Sequence, residues 1–330
     1  MEKMMYLSSF SVTEPDDGVY LYYPSWLNVW ESHLYNKALK STNTHGWGFK
    51  RFGTTKDIYA REMIRTPPYI KYIDAMEQVS DSALQQMASR ERMSLMKSRT
   101  AFIYVDTWGE SGVFEDNPTA LHTSTIDTLP KNLVKKFSVK DFTCKMRGEK
   151  QSLIQAMRVA QDYLNWGLFD FVVICAAYRA VPILTFSDED IPVKRAERSK
   201  EKAINVNLSI ERVGCFIFSN RESKLKINCG NYVISSADQR QEAKSFETWS
   251  DIDLISYTGL RKNTISKILP NEKQLSDSDV ISLNDVYGSS GCLSPALSWI
   301  YLDQNVTSSG KMRTVAPNNF GGYDYFDTCY

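Results

Sequence analysis

The sequence predicts an α/β fold built from two similar halves, and three observations carry that reading. Short apolar runs alternate with amphipathic helical patterns along the 330 residues. Each half holds one helix that is nearly free of charge, as a helix covered by sheet on both sides must be. A charged stretch at residues 187–202 divides the chain, so the halves are placed at 1–190 and 191–330 and are expected to pack as one compact unit.

The elements follow in order. A helix is expected around residues 70–86. Residues 101–105 (AFIYV) are rich in strand formers and read as a strand. Residues 151–166 read as a helix with Leu153, Met157, Ala160 and Leu164 on one face, and Gly167 stops it. Residues 171–175 (FVVIC) lack polar alternation and read as a fully buried strand. Lys194, Arg195, Arg198, Lys200 and Lys202 are interleaved with Glu197 and Glu201, the pattern of a solvated linker. Residues 212–218, 224–228 and 232–235 read as an antiparallel meander, and 254–257 as a short strand. Leu293, Ala296, Leu297 and Ile300 lie at helical spacing, with Ser294 as cap and Pro295 in the first turn. This helix and the one at 151–166 are expected side by side in a central layer. The Tyr- and Trp-rich stretch 20–52 reads as core and interface packing.

Composition excludes several functions. Lys+Arg and Asp+Glu balance at 39 each, so no global field attracts nucleic acid or an anionic membrane. The most apolar stretch, 171–186, is interrupted by Arg179 and Pro182 and is too short to span a bilayer. The start of the chain lacks the apolar region of a secretory leader. Cys144, Cys175, Cys215, Cys229, Cys292 and Cys329 form no C-x-x-C pair, and with three histidines no zinc spacing arises. They read as thiols in a reducing cytoplasm, and no metal site is expected.

Four segments together resemble the elongating β-ketoacyl-acyl-carrier-protein synthases of the thiolase superfamily. Residues 148–177 (GEKQSLIQAMRVAQDYLNWGLFDFVVICAA) are similar to the nucleophile elbow, buried helix and following strand. Residues 212–220 are similar to the strand that opens the second half. Gly288-Ser289-Ser290-Gly291 resembles the G-A-A-G helix start, and Asn319-Phe320-Gly321-Gly322 the G-F-G-G loop beside the active site. The resemblance implies a thiolase-like fold, five-layered αβαβα, made of two pseudo-equivalent halves.

The chemistry of that family does not carry over. The resemblance places the nucleophilic cysteine at Lys150, the first histidine at Tyr257, the second at Asp285 and the supporting lysine near Val280. No histidine follows His122, so none can hold an extender carbonyl or stabilise its enolate. Lysine cannot form a transferable thioester. Cys144, six residues before Lys150, reads as a packed thiol or a displaced nucleophile.

The pattern resembles the chain-length-factor subunits of type II polyketide systems, which have lost the cysteine and pair with an active ketosynthase. Their G-E-Q motif is matched by Gly148-Glu149-Lys150-Gln151 either with the glutamine one place late or with a lysine in its stead, so Lys150 or Gln151 takes the lost cysteine position. The resemblance implies a non-catalytic subunit that forms a heterodimer with a ketosynthase and shapes an acyl tunnel in polyketide or fatty-acid-type elongation on an acyl carrier protein. It implies no cofactor. Residues 124–136 are then the interface and tunnel helix, with Ile126, Leu129 and Leu133 on one face and Phe320 beside the site. The same three residues equally suit the chain's own core. Pro130 should kink or delay that helix. Two other classes stay open: an acyltransferase or hydrolase using Tyr257, Asp285 or Cys144, and a free-standing interaction protein.

Overall fold

A computed structural model describes residues 4–24, 29–52, 67–106, 131–140, 142–148, 150–188, 206–233, 249, 251–259, 279–317 and 322–330, with backbone alone for 67–72 and 188. The strands are β1 (Met5–Thr13), β2 (Tyr20–Leu21), β3 (Gly46–Lys50), β4 (Thr100–Asp106), β5 (Phe142–Arg147), β6 (Phe171–Tyr178), β7 (Val206–Ile210), β8 (Arg212–Ser219), β9 (Leu225–Cys229), β10 (Leu254–Tyr257), β11 (Val280–Ser282), β12 (Lys311–Pro317) and β13 (Tyr323–Cys329). The helices are α1 (Val29–Thr42), α2 (Pro67–Gln86), α3 (Ser89–Lys97), α4 (Lys131–Lys136), α5 (Ser152–Asn165), α6 (Pro182–Asp188), α7 (Leu283–Tyr287) and α8 (Leu297–Asn305). A 3-10 turn, Gly291–Ala296, runs directly into α8.

Strand pairing displays the duplication that sequence identity between the halves is too low to prove. The ten-stranded sheet has the order β11-β10-β12-β13-β9-β1-β8-β6-β4-β5. Read from its two ends inward, each five-strand unit places its third, second, fourth, fifth and first strands in that order. In each unit the third, second and fourth strands are mutually parallel, and the fifth is antiparallel to its neighbours. The units join where β1 pairs antiparallel with β9. Strand β8 therefore closes the first unit, and β8 and β9 flank β1 instead of pairing with each other as a meander. The expected junction at 190–191 lies outside the described residues.

The two low-charge helical segments form the central layer. Helix α5 packs on β4 and β6 of the first unit, on β9 and β13 of the second, and on the 3-10 turn. All six residues of that turn are buried, and Trp299 of α8 is wholly enclosed by the rings of Phe10, Phe216, Phe218 and Phe326. Its indole Nε1 donates to Thr328 Oγ1 at 3.1 Å. The α-helical turns begin later than expected, at Leu297. The Ser294 hydroxyl accepts from the Ser290 amide at 2.7 Å, and Pro295 sits inside the 3-10 turn. On the outer face of the first unit, α2 and α4 cover a second apolar cluster that includes Leu133, Phe102, Phe137 and Val173. Helix α4 is described from Lys131, and Pro130 lies outside the described residues.

The small sheet β2-β3-β7 carries the aromatic stretch. Tyr22, Tyr35, Trp47 and Phe49 surround Phe186 of α6 with ring centroids 5.1–5.9 Å away, so these rings fill the core as expected. None of the six cysteines forms a disulfide. Among the described residues no helix is long and apolar enough to cross a membrane, and no cluster of His, Cys, Asp and Glu could hold a metal.

A polar clamp fixes the second unit's elbow onto the first. Arg212 of β8 donates to Ser290 Oγ at 2.6 Å and to the Tyr287 carbonyl at 2.7 Å, and pairs with Glu14, which also takes Lys50 at 2.8 Å. Ser290 in turn donates to the Ile210 carbonyl at 2.8 Å. Gly291, at φ +50°, has the Tyr178 ring 2.4 Å from where a Cβ would stand, so no larger residue fits. Burial pushes the Glu14 carboxyl up, but Lys50 and Arg212 together outweigh it and hold the group below its ordinary 4.5.

Two measurements check this packing. Trp299→Ala should cost about 3–5 kcal/mol in urea denaturation, whereas the same change at exposed Trp166 should stay within about 0.5 kcal/mol. Glu14 contributes stability that is fully present above pH 4.5 and lost as pH falls through its lower folded value. Wild type should therefore exceed Glu14→Gln in stability at neutral pH, with the gap closing on acidification below pH 4.5.

Candidate functional site

The head of α5 is where the first unit's elbow meets the second unit's strand ends. After β5, the Gly148 amide donates to the Asp106 carbonyl at 3.4 Å. The Ser152 hydroxyl donates back to the Gly148 carbonyl at 3.0 Å, and the Gln155 amide to the Gln151 carbonyl at 3.0 Å opens the helix. Lys150 sits in this turn, only 7% exposed. Its stem lies against Gly259: a Cβ there would stand 3.2 Å from Lys150 Cδ and 3.3 Å from Pro317 Cγ. Gly259 also has φ +58°, so conformation favours glycine, and the space beside it is tight. The elbow and the end of β10 thus come together, as the resemblance implies.

At the end of β10, Gly259 is the residue shown against Lys150. Tyr257 is buried in a separate cluster with Trp249, Ile252, Ile255 and Val315, while Ala316 belongs to the cluster containing Leu153 and Ile154 of α5. Successive strand residues point to opposite faces, so Ile255 and Tyr257 turn outward. Ser256, bonded to Thr314 at 2.9 Å, turns toward the central layer. Thr258 is 2% exposed, and its amide donates to the Val315 carbonyl at 3.0 Å. This parity is legible in residues 255–257, where Ser256 stands between Ile255 and Tyr257.

Asp285 is solvent-exposed on α7, where its amide donates to the Ser282 hydroxyl at 3.4 Å. It is a helix-start residue on the surface, in contrast to the buried Lys150. Val280 lies in β11, at one end of the large sheet. Leu133 is buried within the outer cluster of its own chain. Ile126, Leu129 and Phe320 lie outside the described residues. Cys144 is half-buried beside the central cluster, and burial pushes its thiol up, which lowers the thiolate fraction a nucleophile needs.

Two side chains gain significance from their setting. Gln151 is the N-cap residue of α5, yet its side chain makes no capping bond. Its Oε1, like Thr258 Oγ1, is a buried polar atom without a hydrogen-bond partner. Lys150 and Gln151 therefore place a cation and an amide at the N-terminus of a 14-residue helix, with Gly259 against the lysine stem.

No family and no curated protein matches this sequence. Solved structures do. The chain is similar to Xanthomonas campestris OleA with a glutamate-to-aspartate change, at TM-score 0.60 and 9% identity over 100% of this chain and 99% of that one. It is similar to a cysteine-to-serine form of the same protein with bound lauric acid and lauroyl-CoA, at TM-score 0.59 and 10% identity over the whole of both chains. A cerulenin-bound form matches at TM-score 0.59 and 9% identity, over 99% and 97%. At such identities the likeness speaks for the architecture, and with the repeated five-strand order it establishes a thiolase-like fold of two pseudo-equivalent halves.

Proposed function

We propose that this chain is a non-catalytic, ketosynthase-like subunit of the chain-length-factor kind. It pairs in the cytoplasm with an active ketosynthase and shapes the tunnel receiving an acyl chain from an acyl carrier protein. The observation that carries the reading is Lys150 at the head of α5, where the resemblance expects the nucleophilic thiol. An amine there would give an amide, which does not pass its acyl group on as a thioester does. No histidine follows His122 to stabilise an enolate, and burial raises the Cys144 thiol, which disfavours a displaced nucleophile. The acyl ligands in the OleA structures, lauric acid and lauroyl-CoA, support an acyl chain as the cargo of this fold.

Sheet topology supports where the partner adds. Strand β6, next after the elbow helix, has both edges occupied, by β4 and β8. The ends of the ten-stranded sheet are β5 and β11. Beside β5, Phe142 packs with Tyr163 and Phe169, and Trp166 and Leu168 are exposed. An edge strand flanked by exposed apolar residues suits pairing with another chain.

Co-expression with an active ketosynthase tests the reading. The expected result is a 1:1 heterodimer in size-exclusion chromatography, with acyl groups found by mass spectrometry only on the ketosynthase cysteine. Phe substitutions at Ile126, Leu129 or Leu133 should shorten the product, because bulk added to a packed wall has nowhere to go. An acyl group on Cys144 would make the chain an enzyme. A stable homodimer indifferent to the ketosynthase would leave a free-standing interaction protein.

A further inference from the structure

Cys175 and Cys215 stand directly opposite each other on the antiparallel strands β6 and β8. Opposed residues of such a pair share a face of the sheet. Both thiols are fully buried in the outer apolar cluster, beneath Met76, Val79 and Ala83 of α2. Their chain neighbours Ile174 and Phe216 belong to the central cluster with α5, on the other face. The sheet therefore separates the pair from α5, and the proposed function does not depend on it.

The two thiols are in contact. Cys215 hydrogen-bonds to Cys175 and to Ser80 of α2, and Ser80 Oγ lies 3.8 Å from Cys175 Sγ. Directly opposed residues on antiparallel strands have Cα atoms about 4.5–5.5 Å apart. That is within the roughly 4.4–6.8 Å that a disulfide spans, so joining them needs no movement of the backbone. The other four cysteines have no such partner. Cys144 lies opposite Ile103, Cys229 opposite Phe326, and Cys329 between Lys226 and Lys311, while Cys292 donates to the Ala177 carbonyl at 3.5 Å.

We propose that Cys175 and Cys215 close to a cross-strand disulfide when the folded chain meets a peroxide, and that the bond locks β6 to β8. One sulfur attacks the peroxide: an S–O bond forms, the O–O bond breaks, and the thiol proton leaves with the departing oxygen as water. The second sulfur then attacks that sulfenic acid: the S–S bond forms, the S–O bond breaks, and the second proton leaves in a second water. The two thiols lose two electrons and one peroxide gains them. Hydrogen peroxide is uncharged and little larger than water, which suits an apolar setting. Burial pushes the Cys215 thiol well above its ordinary 9.0, so the reaction is slow and answers sustained exposure. The bond closes the loop between residues 175 and 215, which restricts the unfolded chain.

Peptide mapping of the full chain tests this. Folded protein is treated with hydrogen peroxide, then denatured and alkylated. The expected result is a bridge from Cys175 to Cys215 that dithiothreitol reverses, with no other bridge within the chain. The urea midpoint of the bridged form should lie about 1 M above that of the reduced form. In Cys175→Ala, verified as folded by its thermal melt, peroxide should leave the midpoint where it was. If that variant does not fold, the wild-type map decides. Both thiols alkylated after peroxide, a bridge from either one to another cysteine, or a bridge formed only in urea overturns the proposal. A bridge that leaves the wild-type midpoint unchanged overturns the lock.

Discussion

Helix α5 is packed by strands of both units, and the rest of the molecule is arranged around that constraint. The first unit's strands cover one side and the second unit's cover the other. Such a helix was expected to be apolar all round, but its polar residues are used as ties. Arg158 donates to the Gly230 carbonyl at 3.0 Å and to Asp324 at 2.7 Å, and Gln161 Oε1 accepts from the Cys229 amide at 2.7 Å. Each of these bonds runs from the first unit's helix to the second unit's strands. Removing one partner would leave a buried group unmet, which costs more than the bond itself contributes. The helix thereby fixes the position of one unit against the other, and with it the geometry at its own head.

The same logic recurs in the buried charges. Glu211 is almost wholly enclosed and accepts from Arg51 at 3.1 Å, Arg179 at 3.4 Å and the amides of Phe52 and Ala180 at 2.8 and 3.2 Å. Arg313 forms a two-pronged pair with Asp327 and lies between the rings of Trp249 and Tyr325, 4.5 and 4.3 Å from their centroids. Burying such pairs adds little net stability, while breaking one is costly. Their effect here is on register: Arg313 and Asp327 face each other across β12 and β13, so a slip of one residue would strand both charges.

Local pattern made the central elements legible in the sequence. Residues 101–105 and 171–175 are the fully buried strands β4 and β6, because an apolar run between two helical layers needs no alternation. The 3.6-residue spacing of Leu153, Met157, Ala160 and Leu164 marked α5 for the same reason. What failed to read out was non-local. Strand β8 looks like the start of a meander because β9 follows it after a short turn, yet β1, some two hundred residues earlier, lies between them. The match put Tyr257 at the site, yet its ring packs in a separate cluster, since a motif match locates a turn without fixing which side chain turns inward. Asp285 fell at a matching spacing, but in the short helix α7 its side chain meets solvent.

The glycines persist where the chemistry has changed, and sterics explain the difference. Gly259 and Gly291 hold φ +58° and +50° with Lys150 and Tyr178 pressed against them, so any side chain there must displace the neighbouring unit. The positions the resemblance assigns to catalysis carry no such demand on backbone shape. A thiol, an amine or an amide can stand at the head of α5 provided that its polar atoms are met. The two-unit scaffold can therefore outlast the loss of its nucleophile. A buried cation at a helix N-terminus is opposed by the helix dipole, so the Lys150 ammonium has to be met by groups outside α5, a demand that the lost thiol did not make.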